Sequence, residues 1–303
     1  MKSAQIKSSL MLVLTALIWG VAFIAQSVGM DYVGPFTFNS VRCFIGGLVL
    51  LPMLPLIDRI KGRPRSEIKS EIRAQKKPLL LGGLVCGALL AVASSLQQIG
   101  LIYTSPGKAG FITALYIVIV PILGLFMKKK PSVLIWLSVA LAAVGMYLLC
   151  ITESFTIGLG DIMVMLCALA FSFHILAIDY FSPKVDGVRL SMLQFFVCAL
   201  LCAVPMLLTE QPSIQSILAA WLPILYAGAL SCGVAYTLQI IGQKNINPTV
   251  ASLILSLESV FSCLAGWMIL GDALSPRELS GCALVFIAIL LAQLPAPGKW
   301  REE

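Results

Sequence analysis

Stretches of about 20 apolar residues recur from one end of the chain to the other, and almost every Lys and Arg falls between them. That pattern restricts the fold more than any motif does. A run of this length, rising about 1.5 Å per residue as a helix, crosses a hydrocarbon core of about 30 Å. With 303 residues, 59% hydrophobic and 12% charged, the chain lies far from the soluble norm of about a quarter charged and reads as an all-α integral membrane protein. The runs predict helices over 8–29, 35–57, 78–103, 106–127, 132–151, 159–181, 188–208, 215–240, 248–270 and 277–294. Ten spans leave little chain for a soluble domain. Only 58–77, DRIKGRPRSEIKSEIRAQKK, exceeds a turn, and it reads as a basic loop, short and amphipathic or solvated.

The first run follows Lys2 and Lys7 but is about twice the length of a signal-peptide core and lacks a small-residue cleavage site, so it is expected to be retained. Of the 21 Lys and Arg, 18 fall on the side of the N-terminus and only Lys108 and Arg277 on the other. By the positive-inside rule both termini are cytoplasmic, in a multi-pass protein of the cell (plasma) membrane. Basic loops beside anionic membrane lipid account for the net charge of +7 without a nucleic-acid partner.

The sequence also repeats. LQQIGLIYTSPGKAGFITAL from Leu96 lies over LQIIGQKNINPTVASLILSL from Leu238, a constant offset of 142, and Gly124 meets Gly266. A weaker register places TALIWGVAFIA from Thr15 over CALAFSFHILA from Cys167, an offset of 152, the difference matching the longer basic loop of the first half. The chain is thus expected to be a tandem of two five-helix units, 1–151 and 152–303. Five is odd, so the second unit enters from the opposite face. The halves become inverted repeats, an architecture of secondary transporters with a midplane site between the units.

The stretches LTALIWGVAFI, FNSVRCFIGGLVLL, YTSPGKAGFITALYIVIVPILG and INPTVASLILSLESVFSCLAGWMILGDALSPRELSGCALVFIAILLA resemble the paired ten-helix members of the drug/metabolite transporter superfamily, EamA type. The likeness covers nearly the whole chain. It is strongest at Trp19–Gly20, at Arg42 and at the SLES…GD segment, and it implies a transporter fold without naming a substrate. The chain departs from the pattern at Ser259, where a proline often follows the Glu, and at Asp272, where Glu is usual. The first departure predicts a locally straighter ninth helix.

Seven residues are candidates for the cavity. Glu258 lies midway along its run and its repeat partner is Tyr116, so two polar groups hold equivalent midplane positions; they are a substrate or proton site, or a packing carboxylate satisfied by neighbouring hydroxyls. Arg42 either attracts an anionic group or snorkels and caps helix carbonyls. His174, the only histidine, either shuttles protons or fills a hydrogen-bonded niche. Trp19, with Phe171 as its counterpart, forms a cavity wall or an interhelical contact, and Gln97 and Gln239, themselves repeat partners, contact substrate or bridge helices. Gly83, Gly87, Ala91 and Ser95 form a small-residue stripe that predicts close packing of the third helix. The nine cysteines all fall within spans, without C-x-x-C or His at metal spacing, and read as small buried hydrophobes; no metal and no cofactor is expected.

No P-loop, G-x-S-x-G elbow or H-E-x-x-H is present. The expectation is therefore not an enzyme but a secondary permease or exporter. Its partner is a small-molecule substrate, a metabolite such as an amino acid, moved by alternating access with coupling to protons through Glu258. A multidrug exporter of lipophilic cations is the alternative, and an intramembrane enzyme or sensor a remote one.

Overall fold

In the computed structural model of the chain, residues 2–60, 62, 64–104, 106–126, 131–150, 157–265, 267–268 and 275–294 are described, and no strand occurs among them. The helices are α1 Lys2–Gly29, α2 Pro35–Ile60, α3 Arg65–Tyr103, α4 Pro106–Thr113, α5 Tyr116–Phe126, α6 Val133–Cys150, α7 Leu159–Phe181 and α8 Gly187–Thr209. They are followed by α9 Ile214–Ala219, α10 Trp221–Leu225, a π-helical stretch π1 Tyr226–Tyr236, α11 Thr237–Gln243, α12 Pro248–Leu255, α13 Leu257–Ala265 and α14 Pro276–Ala292.

Among the described residues, eight helical spans are long and apolar enough to cross a membrane. Two of the runs read from the sequence fall short of that length: the apolar part of α6 covers Val133–Leu148, and α14 has 17 residues. Asp272 lies outside the described residues.

The segment 58–77 is not a loop for most of its length. It turns helical at Arg65 and continues into α3, a helix of 39 residues. Glu, Lys, Arg and Gln are good helix formers whatever their charge, Glu67 sits in the first turn where the helix dipole favours an anion, and Gln75 Nε2 donates to Glu71 Oε1 one turn back at 3.1 Å. Further along, the small stripe lays α3 on α8, with Gly83 against Leu193 and Gly87 against Val197.

The runs 106–127 and 248–270 are interrupted. α4 stops at Thr113 and α5 starts at Tyr116, while α12 stops at Leu255 and α13 starts at Leu257. Ser259 itself lies within α13, and the interruption falls three residues earlier, at Ser256. Ser252 and Ser256 donate to carbonyls three residues back, Thr249 O and Leu253 O, both at 2.8 Å or less, a side-chain competition that loosens helical turns.

Equivalent elements begin and end in register. α1 ends at Gly29 and α7 at Phe181, and α2 begins at Pro35 and α8 at Gly187, each 152 residues apart. α4 and α12 coincide at both ends, 142 residues apart.

Helices α2 and α8 pack along each other and are tied at both ends. At one end Arg189 Nη2 meets Asp58 Oδ2 at 2.7 Å. At the other, the Glu210 carboxylate accepts from Phe36 N and Thr37 N at 2.8 Å each and from Thr37 Oγ1 at 2.5 Å, capping the N-terminus of α2 where an anion is favoured. Thr37 and Arg189 are 152 residues apart, as are Asp58 and Glu210.

Candidate functional site

A cavity of about 490 Å3, open solvent at its mouth included, opens among α1, α2, α3, α4, α5, α7, π1, α11, α12 and α13. Its walls include Trp19, Phe23, Gln26, Arg42, Gln97, Thr113, Tyr116, Phe171, Ile175, Ser231, Tyr236, Gln239, Leu255 and Glu258. Six of the seven residues singled out from the sequence meet here. His174 does not. It is wholly buried behind the wall, its Nε2 3.1 Å from Gln194 Oε1 and its ring edge-on to Phe171 and Tyr236.

The two helix breaks deliver the central pair. Tyr116 is the first residue of α5 and Glu258 the second of α13, and the Tyr116 hydroxyl donates to Glu258 Oε1 at 2.9 Å. Among the described residues this phenol is the carboxylate's hydrogen-bond partner; Ser256 donates to Leu253 O and Ser259 to Gly110 O instead. Positions 116 and 258 are separated by the repeat offset of 142. Four more such pairs line the cavity: Gln97 with Gln239 and Thr113 with Leu255 at 142, Trp19 with Phe171 and Phe23 with Ile175 at 152. The positions match, but the residue is kept only at Gln97 and Gln239, so at the other four pairs the two sides of the cavity present different side chains.

Arg42 is 4% exposed. Its Nη1 donates to the side-chain oxygen of Gln26 at 2.9 Å, its guanidinium carbon lies 5.5 Å from the centroid of the Phe38 ring, and its Nε has no protein partner. No carboxylate among the described residues pairs with it. Gly228 of π1 sits against it: a Cβ there would stand 3.0 Å from the Arg42 carbonyl oxygen, so the wide π turn and the absent side chain let π1 approach α2 at this level.

The other polar atoms divide into satisfied and unsatisfied. Gln97 Nε2 donates to Thr113 Oγ1 at 3.3 Å. Trp19 Nε1 and Gln239 Oε1 have no protein partner, although Trp19 stacks at 4.5 Å, tilted, on Tyr236. The cavity thus holds a guanidinium, a carboxyl, a free donor and a free acceptor between aromatic walls.

Gln26, Thr113, Ser231 and Tyr236 also line this cavity and were not singled out from the sequence. Thr113 was within reach, because it lies one helical turn before Tyr116. Ser231 and Tyr236 depend on π1, which nothing in the apolar run 215–240 signals.

Residues 6–151 and 158–294 each match the EamA-like transporter family. A protein of Archaeoglobus fulgidus described as an uncharacterized transporter is 31% identical over 296 residues, covering 96% of this chain and 87% of its own. The uncharacterized transporter YoaV of Bacillus subtilis is 22% identical over 293 residues, covering 95% and 97%. A solved crystal structure shares the fold, with a TM-score of 0.77 at 19% identity over 94% of this chain and 96% of that one.

Proposed function

The chain belongs to the EamA-like transporter family, a membrane transporter by that membership, and on this premise we propose that it is a secondary transporter carrying a small organic metabolite, such as an amino acid, across the plasma membrane by alternating access. Ten transmembrane helices form two inverted five-helix units, 1–151 and 152–303, both termini are cytoplasmic, and the units rock about the central cavity.

The observation that carries this reading is the meeting of Tyr116 and Glu258. Two residues at the same place in two copies of a repeat can touch only near the axis that relates the copies, and theirs is a 2.9 Å hydrogen bond in the wall of the cavity. The packing agrees. Exchanging the halves turns the contacts of α1 with α12 and α13 into those of α7 with α4 and α5, and the contact of α3 with α7 into that of π1 and α11 with α1. It returns the α2–α8 and α6–α14 pairs to themselves.

Glu258 is the proton carrier in this scheme. It is 5% exposed at the cavity wall, where a cargo that binds near it exchanges with its proton, so a proton gradient drives accumulation. A lipophilic-cation exporter would have to seat its cargo beside the Arg42 guanidinium, which favours the metabolite reading.

The test is purified protein in liposomes with an imposed pH gradient and labelled amino acids, sugars and cationic dyes. Gradient-driven accumulation of a metabolite is expected, and Glu258→Gln should insert normally yet lose accumulation. Full gradient-driven uptake by Glu258→Gln would make the glutamate a structural contact, and accumulation of dyes alone would select the multidrug reading.

A further inference from the structure

We infer that the cavity takes solutes bearing an anionic oxygen group, carboxylate or phosphate, which Arg42 seats, with a hydrogen-bond-donating group of the same solute directed to Gln239 and Glu258. The inference rests on the transport reading and deepens it by naming the charge and polarity of the cargo.

A guanidinium carries five N–H donors and stays charged in proteins. Arg42 is 96% buried within an apolar bundle; its Nη1 donates to the neutral side chain of Gln26 and its Nε has no protein partner. The groups around its charge include the thiols of Cys43, Cys198 and Cys232 and the phenol of Tyr236, and no carboxylate among the described residues pairs with it. An ion buried without a counter-ion is costly and marks a function more often than a packing need.

The repeat supplies an internal control on the packing need. The position equivalent to Arg42 in the other half, 152 residues on, is Gln194. It lies on α8 in the same relation to α2 as Arg42 does to α8, and a neutral amide bonded to His174 suffices there. The helix pair therefore does not require a cation at this level, and the charge serves what enters the cavity.

The remaining unsatisfied atoms give the solute its direction. Trp19 Nε1 is a free donor and joins Arg42 Nε in offering hydrogen bonds to an anion. Gln239 Oε1 is a free acceptor 1% exposed, and Glu258 accepts in its ionised form, so both call for a donor. A small solute with an anion at one end and an ammonium or hydroxyl at the other satisfies all four; a lipophilic cation satisfies only the second pair.

The experiment is competition for uptake in the liposome system by matched solutes: amino acids, their amides and methyl esters, and glycerol 3-phosphate. The wild type should favour acids over the matching amides and esters by at least tenfold in half-saturating concentration. Arg42→Gln, which copies the residue of the other half, should insert at the wild-type level, lose that preference and still bind amides; Arg42→Lys should keep part of it. Glycerol 3-phosphate separates the anions: competition by it and not by amino acids assigns phosphate, the converse carboxylate. Equal handling of acids and amides by the wild type, or an unchanged preference in Arg42→Gln, overturns the inference while leaving transport standing. If Arg42→Gln fails to insert, the acid-to-amide ratio of the wild type and of Arg42→Lys decides. Loss of acid preference on Cys43→Ala with Arg42 intact would instead assign the counter-charge to the thiol cluster and refute the proposal. No uptake of any solute by the wild type would remove the transport reading itself, and this inference with it.

Discussion

Gly20 is where α1 crosses α13 beside the central pair, and adding one methyl group there has a size that the structure sets. A Cβ on Gly20 would stand 2.6 Å from Phe261 Cβ, 2.7 Å from Glu258 O and 2.8 Å from Ser262 N. Ordinary contact begins near 3.4 Å, so α13 must retreat by about 0.6–0.8 Å, since two of the obstructing atoms are backbone and the third, a Cβ, is fixed to it, so none can rotate aside. Such overpacking costs about 1–3 kcal/mol, against a helix-propensity gain of about 1 kcal/mol for Gly→Ala. Gly110 is the control, because it also faces α13 but its added Cβ would meet only Ser259 Oγ at 3.7 Å. The propensity gain is common to both, so Gly20→Ala is expected to be less stable than Gly110→Ala by about 1–3 kcal/mol. The retreat also carries Glu258 away from Tyr116, stretching their 2.9 Å bond towards the limit of a hydrogen bond. Unfolding of the purified protein in mixed micelles measures the first effect and gradient-driven uptake the second. Equal stability of the two variants, with uptake intact in Gly20→Ala, would refute the claim that the α1–α13 contact positions the carboxylate.

The tie between Asp58 and Arg189, 2.7 Å apart with side chains 10% exposed, should make Asp58→Ala destabilising by about 3 kcal/mol, the low end for a broken buried pair, because Asp186 still reaches Arg189 at 3.6 Å; the double change Asp58→Leu with Arg189→Met should recover most of the loss in the same unfolding assay. At the opposite end Glu210→Ala removes the acceptor of two backbone amides and should cost about 1–3 kcal/mol, with Glu210→Gln milder. Reporter fusions at the C-terminus and within 58–77 should register the cytoplasm and one near Asp31 the opposite side; an external C-terminus would end the inverted-repeat reading. Single cysteines at Trp19 and Tyr116, in a protein without its native cysteines, should react with a water-soluble thiol reagent, and protection of both in every condition would place them in packed interfaces.

Much of the architecture was legible because hydropathy reports where a helix meets charge. The run 159–181 coincides with α7, and 188–208 falls one residue inside α8 at each end. What hydropathy does not report is backbone geometry within an apolar run. The breaks before Tyr116 and Glu258 and the π turns around Ser231 leave the run as apolar as before, so they are invisible to that signal. Charge misled at Arg65, since solvation and helicity are compatible. At the site, the repeat register found Tyr116, Glu258, Gln97 and Gln239 because polar residues stand out in apolar helices. His174 stood out for the same reason and belongs to the packing behind the wall. Gln26 was missed because, three residues before the end of α1, it looks like an interfacial residue; its role follows only from the acceptor that buried Arg42 needs.

The bond between Tyr116 and Glu258 bears on how such a chain could have arisen. In an ancestor made of two identical five-helix subunits, these two positions would carry the same residue. Two glutamates would repel, and two tyrosines would offer no acid. A phenol facing a carboxylate requires that the two copies be encoded separately, in one gene or in two, and diverge. The same holds for Arg42 and Gln194. Divergence at these places removes the degeneracy of a symmetric dimer: turning the molecule over no longer reproduces it, so its two faces differ in energy even with nothing bound. A transporter built this way has a preferred resting orientation written into a handful of side chains, and swapping the residues at 116 and 258 is the change that should reverse it.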